Sequence, residues 1–192
     1  MFQPVAPNIA SDFMPTVLVL ASGRGERFAA SGGQGNKLHA LLDGKRVIDW
    51  TVDAVRASGL TFHVEDVGHA GMGDSIAAAV RATPSASGWL ILPADLPLIR
   101  ACSLLLVARE LRRAPLVVPY FQGQRAHPVG LGPEHAEAAL NLRGPQGLAQ
   151  WIAAHEALNL AKRLELDDAG GVTDIDTVQD LERATQMLRA GV

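Results

Sequence analysis

Four short apolar, β-rich runs, Val17 to Leu20, Thr61 to Val67, Trp89 to Pro93 and Leu116 to Tyr120, alternate along the chain with segments of helical spacing. Strand alternating with helix specifies a mostly parallel sheet covered by helices, an α/β fold. Residues 47–58 place Ile48, Val52 and Val55 on one helical face. Leu104, Val107, Ala108 and Leu111 follow the i, i+3, i+4, i+7 pattern, and Leu148, Trp151, Ile152 and His155 repeat it, as do Leu181, Ala184, Thr185 and Leu188. These stripes predict helices packed on a core. Residues 121–132 read as a loop with a short strand, Pro133 as a helix start, Arg163 to Leu166 as a last strand, and Thr177 as the N-cap of the final helix.

The first strand runs directly into Ala21-Ser-Gly-Arg-Gly-Glu-Arg-Phe28. That is how a phosphate cradle is built. Gly23 and Gly25 let backbone N–H groups approach an anion, while Arg24 and Arg27 bring bidentate positive charge. Lys37 follows as a point charge suited to a polyphosphate. A dinucleotide fingerprint would need glycine where Phe28 stands, and a P-loop would need Ser or Thr where Leu38 stands. No G-x-S-x-G elbow is present, so serine hydrolysis has no support.

Composition narrows the partners. The 192 residues, 48% hydrophobic, suffice for one well-buried domain. A net charge of -3 and a pI near 6.0 argue against general affinity for nucleic acid or anionic membranes. The one cysteine, Cys102, lies in an apolar run and is expected to be a packed thiol, consistent with a reducing cytoplasm. No apolar run approaches the ~20 residues needed to cross a bilayer. The N-terminal residues lack the basic and apolar regions of a secretory signal, so 1–15 is expected to be a flexible arm and 16–192 the folded domain.

Asp95, in Leu92-Pro-Ala-Asp-Leu-Pro97, falls at the carboxyl end of a strand, where open α/β sheets bind ligands. It either caps the helix starting near Ile99 or offers Mg²⁺ a hard oxygen beside the phosphates. Asp174 and Asp176 stand at a second strand-to-helix junction, either as a further carboxylate ligand or as helix caps. Gly71-Met-Gly-Asp-Ser75 precedes an apolar helical segment, so Asp74 or Ser75 is expected to cap a helix end that suits anions or ribose hydroxyls. His127 lies in a loop, facing a ligand or bonded locally. The remaining histidines have no H-x-x-x-H spacing, so a zinc site is not expected.

Taken in order, these motifs resemble the MobA-like nucleotidyltransferases of molybdenum-cofactor maturation over nearly the whole chain after residue 15, and look most like the cytidylyltransferase (MocA) branch. The L-A-A-G-x-G-x-R-[FM] opening is similar to Leu20 to Phe28, with Lys37 after it; G-M-x-x-S matches Gly71 to Ser75, D-x-P matches Asp95 to Pro97, G-H-P is similar to Ala126-His-Pro128, and D-I-D-T matches Asp174 to Thr177. The resemblance implies a single-domain, Rossmann-like three-layer fold. It implies transfer of CMP from CTP to molybdopterin cofactor with release of pyrophosphate, the product passing to a molybdoenzyme. By the same resemblance Leu20, Ala21, Ser22, Gly23 and Gly25 hold the nucleotide, Arg27 and Lys37 its charge, Asp95 and Asp176 Mg²⁺, Gly71, Met72 and Ser75 the base or ribose, and His127 the pterin.

Three departures from the pattern stand out. A Gly-rich stretch, Ala29 to Gly35, precedes Lys37 and would relocate the lysine or act as a lid; one strand-helix unit is expected to be missing before Gly71; and the late G-D-x-G segment reads Arg143-Gly-Pro-Gln-Gly147, without its carboxylate. They leave room for a guanylyl- or sugar-phosphate nucleotidyltransferase, and for a nucleotide- or pterin-binding accessory protein that transfers nothing.

Overall fold

A computed structural model describes residues 13–23, 25–144 and 147–191. In chain order the strands are β1 (Thr16–Leu20), β2 (Leu41–Leu42), β3 (Lys45–Arg46), β4 (Phe62–Glu65), β5 (Trp89–Pro93), β6 (Leu116–Phe121), β7 (Gln124–Arg125), β8 (Val129–Leu131) and β9 (Lys162–Glu165). The helices are α1 (Glu26–Ala30), α2 (Val47–Ser58), α3 (Met72–Ala82), α4 (Ala101–Leu111), α5 (Ala136–Leu140), α6 (Gly147–Ala157) and α7 (Val178–Ala190).

The main sheet runs β4-β1-β5-β8-β6-β7, with β9 also paired to β6. β1 pairs in parallel with β4 and β5, and β6 with β9; β8 lies antiparallel between β5 and β6. Strand β1 shows why the chain forms three layers. Its alternate residues Val17 and Val19 pack with Val52 and Val55 of α2 and with Leu104, Val107 and Leu111 of α4. Leu18 and Leu20 pack on the other face with Ile76, Ala79 and Val80 of α3 and Ile152 of α6. Period-2 side chains on a strand covered on both faces produce this near-continuous apolar run. Truncating Leu18, fully buried, to alanine would cost about 2–5 kcal/mol through the cavity left behind.

Several expectations change. β4 is shorter than Thr61 to Val67 and forms the edge of the sheet among the described residues, next to β1 of the site-forming pair β1–β5. Cys102 is exposed, not packed. Ser103, Leu104, Val107 and Ala108 supply the buried face of α4, which turns Cys102, Leu105 and Leu106 outward. Helix α3 begins at Met72 with Gly71 as N-cap and no side-chain cap, so neither Asp74 nor Ser75 caps it. Thr177 does cap α7, in a reciprocal box with Asp180. Of the expected arm, residues 1–12 lie outside the described residues; Phe13 packs against the core and Pro15 is buried. Among the described residues no helix is long and apolar enough to cross a membrane.

Candidate active site

The carboxyl ends of β4, β1 and β5 lie side by side, Glu65 opposite Leu20 and Leu20 opposite Pro93. Above them opens a cleft of about 630 Å³. Its lining includes Leu20, Ser22, Gly23, Arg27 and Lys37 from the first loop, Gly71, Met72 and Ser75 from the start of α3, Asp95 after β5, His127, and Asp174 and Asp176 before α7. Ala21 and Gly25 are not in the lining. Gly25 instead takes φ 65° and passes close under Lys37, where an added Cβ would stand 3.4 Å from the Lys37 main-chain nitrogen. Arg24 lies outside the described residues.

Lys37 is the centre of the charged group. Its Nζ donates to Asp95 Oδ2 at 2.6 Å and to Asp176 Oδ1 at 2.6 Å, and Arg27 donates to the other oxygen of Asp176. Burial works to lower the Lys37 ammonium, but Asp95 and Asp176 outweigh it and hold it above its ordinary value. Burial likewise pushes Asp176 up, and Lys37 and Arg27 override this to keep it below the usual range. For Asp174 the compensation falls short: burial first, then the Asp95 charge, raise its carboxyl, and a backbone hydrogen bond and Lys37 offset this only in part. The backbone fixes the arrangement. Ile175 is fully buried and its N–H donates to the Asp95 carbonyl at 3.0 Å, so the extended Asp-Ile-Asp segment sends its two carboxylates to the cleft side.

Asp95 caps no helix. Helix α4 starts at Ala101, and Asp168 takes that neighbourhood, accepting from the Arg100 N–H at 3.0 Å, Ser103 Oγ at 2.5 Å and the Gly170 N–H at 3.0 Å. Asp95 Oδ1 is buried without a hydrogen-bond partner, and so is His127 Nδ1. Burial pushes the His127 imidazole down and favours its neutral form, against the pull of Asp95 toward the protonated one. Among the described residues no three His, Cys, Asp or Glu side chains converge to hold a metal.

The departures from the sequence pattern have local explanations. The Gly-rich stretch folds back on α1: the Gly33 N–H donates to Phe28 O at 3.0 Å, a Cβ at Gly33 would strike the Phe28 ring, and Ser31 Oγ accepts from the Val178 N–H at 3.0 Å. It leaves Lys37 in the cleft. The late loop docks on α3, where the Gly73 N–H donates to Gly144 O at 2.9 Å and the Gly144 N–H to Asp74 Oδ2 at 2.9 Å; an added Cβ at Gly73 would collide with the Arg143 backbone. Pro145 and Gln146 lie outside the described residues. Ser22 and Ser75 hydroxyls meet at 2.6 Å and join the first loop to α3.

Two parts of the site escaped the sequence reading. Arg125, which lines the cleft, donates to Glu156 at 2.5 Å, and Tyr120 OH donates to the same carboxylate at 2.5 Å. At the other end His69 enters the lining, bonded to the buried Glu65. The signals available were a carboxylate ending a strand and a histidine just before Gly-Met, neither with a spacing that singled it out.

Known proteins agree with this architecture. Rv0371c from Mycobacterium tuberculosis, also solved as a complex with manganese, superposes with a TM-score of 0.76 at 19% identity, covering 92% of this chain and 100% of its own. A nucleotidyl transferase from Methanothermobacter, Mth528, gives 0.73 at 20%, covering 92% and 99%. Molybdopterin-guanine dinucleotide biosynthesis protein A from Archaeoglobus fulgidus gives 0.64 at 16%, covering 91% and 99%. At these identities the likeness is one of fold. No curated protein sequence matches the chain. The MobA-like NTP transferase domain matches residues 54–158, more than half of the sequence, and with it the chain belongs to the MobA-like family of nucleotidyltransferases.

Proposed function

We propose that the chain transfers CMP from CTP to the phosphate of a molybdopterin-type acceptor, releasing pyrophosphate. The observation that carries this reading is the Lys37 ammonium held between Asp95 and Asp176, with Arg27 beside it, at the carboxyl edge of the sheet. An acceptor phosphate oxygen attacks the α-phosphorus; the new P–O bond forms as the bond to the β-phosphate oxygen breaks, and pyrophosphate leaves with its electrons. No protein nucleophile is needed. Gly23, Arg27 and Lys37 orient the triphosphate and neutralise the leaving charge, which is electrostatic work. His127, with a free buried Nδ1, faces the acceptor. Asp95 and Asp176 fit Mg²⁺: the buried Asp95 Oδ1 has no partner in the chain, and magnesium is commonly held by one or two carboxylates plus substrate phosphates. When bound, that ion supplies further neutralisation of phosphate charge. The fold shared with a protein crystallised with manganese supports a divalent cation, and the fold shared with a molybdopterin-guanine dinucleotide protein supports a pterin acceptor.

Cytidine comes from the Gly71 to Ser75 resemblance. GTP therefore belongs in the same test. Pyrophosphate release is measured with each nucleoside triphosphate, Mg²⁺ and molybdopterin. Release with CTP alone supports the reading; release with GTP alone moves the chain to the guanylyl branch, and nucleotide binding without any release makes it a carrier.

A further inference from the structure

The charge lining the cleft is asymmetric. Beyond the Lys37 group, one wall carries Arg125 and His127, suited to an anionic acceptor; the other, Ala70 to Ser75, has the uncharged Gly71, Met72 and Ser75 against the opening, suited to a nucleoside. His69 enters at that second wall. Its Nε2 lies 3.1 Å from Glu65 Oε1, while His63 Nε2 lies 3.4 Å from Glu65 Oε2. Glu65 is 6% exposed at the end of β4, and its carbonyl accepts the Ala21 N–H at 2.8 Å, so the pair is anchored beside the cradle.

We propose that Glu65 and His69 form a positioning pair that presents an imidazole acceptor to a hydrogen-bond donor of the nucleoside, a ribose hydroxyl or a base N–H. This rests on the cleft being a nucleotide site. A carboxylate only accepts, so both histidines turn an Nε2–H toward Glu65. In the neutral His69 ring Nδ1 is then a bare acceptor, and Glu65 is the one partner that ring has among the described residues. His63 holds the second carboxylate oxygen and stops Glu65 from turning away. Burial works to raise the Glu65 carboxyl, but His69 and His63 outweigh it and hold it below its ordinary value. Glu65→Gln breaks the logic specifically: its side chain has one oxygen and one NH₂, so one of the two histidines must reverse its tautomer.

Calorimetric titration at pH 8, where an ordinary histidine is neutral, separates this role from a structural one. The native chain, His69→Ala, His69→Gln and Glu65→Gln are titrated with CTP, GTP, ATP, UTP and inorganic tripolyphosphate. His69→Ala should weaken its nucleoside triphosphate about tenfold, the worth of one well-made hydrogen bond, and leave tripolyphosphate unchanged. Glu65→Gln should fall between the native chain and His69→Ala, since His69 loses its acceptor only where the amide NH₂ turns toward it, and His69→Gln, which keeps an acceptor, should recover part of the loss. In turnover KM rises about tenfold with kcat within twofold. If deoxy-nucleotides bind the native chain as weakly as His69→Ala binds CTP, the donor is a ribose hydroxyl; if the loss is confined to certain bases, it is a base N–H. Equal weakening of tripolyphosphate, or no weakening at all, overturns the pair while leaving the proposed function standing. Failure of the native chain to bind any nucleoside triphosphate overturns both.

Discussion

The charged groups on the two sides of the cleft are held by different physics. Lys37, Asp95 and Asp176 meet at the ends of central elements, with side chains 11%, 14% and 28% exposed and a main-chain bond fixing one acidic segment to the other. Arg125 and Glu156 meet on the β7 hairpin and α6 near the sheet border, at 36% and 25% exposure. A poorly hydrated cluster holds its charges in one geometry and feels each loss strongly. A rim pair is screened by water and is worth little to the fold. The first arrangement suits groups that must not move while a phosphate reacts; the second suits a cation that adapts to its partner.

Asp95→Asn should produce the largest effect. It removes one charge facing Lys37 and the free Oδ1 offered to a cation, so turnover should fall by about 10²–10³, the usual loss for one preorganised electrostatic group, with only a small change in unfolding. Full activity in this variant would sink the assignment of Asp95 to the metal. Lys37→Ala cuts deeper into the fold, because two carboxylates then share a half-dry site without their cation. The cost expected for breaking a buried pair is about 3 kcal/mol, visible as a clear drop in midpoint at neutral pH. A drop no larger than that of a rim variant would mean that the cluster is as hydrated as the Arg125 pair.

Asp174 and Asp176 split the comparison further, within one segment. Asp176 is held below the ordinary carboxylate range, so its contribution is present above about pH 4 and is lost as pH falls through its folded value. Asp174 is held above that range, so the protonated form suits the fold and stability declines as pH rises through its folded value. Asp174→Asn should therefore raise the thermal midpoint above the folded value of Asp174, through neutral pH, and flatten that decline, whereas Asp176→Asn should erase the acid-side loss. Midpoints recorded from pH 3 to 8 check both; identical profiles for the two variants would show that the segment does not present its carboxylates to different surroundings.

The parts of this architecture that were legible in the sequence are those with a local rule. Val47 to Ser58 forms the helix its spacing predicts, β5 has both expected ends and β1 its expected C-terminal end, and Thr177 caps α7 because a capping box needs only neighbours in sequence. Lys37, Asp95 and Asp176 each stand out singly in the sequence, but their meeting depends on topology. Asp168 shows the limit most clearly. It is 3% exposed and satisfies donors from Arg100, Ser103 and Gly170, yet in the sequence it is one of two adjacent aspartates before Ala-Gly-Gly. The Gly170 position also depends on a distant segment, since a Cβ there would fall 2.0 Å from the Leu98 carbonyl oxygen. Cys102 is exposed although its apolar run suggests a packed thiol, because such a run does not say which residues of a helix face outward; the phase of Leu104, Val107 and Leu111 does.

The rim pair provides the smallest expected effect and the sharpest control. Glu156→Gln removes the carboxylate that receives Arg125 and Tyr120 OH but keeps an oxygen of similar reach. An exposed ion pair typically contributes about 0.2–1 kcal/mol, so unfolding in urea should change by less than about 1 kcal/mol, and addition of salt should shrink even that difference. Arg125, released from its counter-charge, stays in the cleft lining and should leave KM for the nucleoside triphosphate unaltered, because the triphosphate is assigned to the Lys37 group and the nucleoside to the wall opposite Arg125. A stability loss matching that of Lys37→Ala would show that the β7 side is as rigidly held as the Lys37 cluster. A raised nucleotide KM would instead place part of the triphosphate against Arg125.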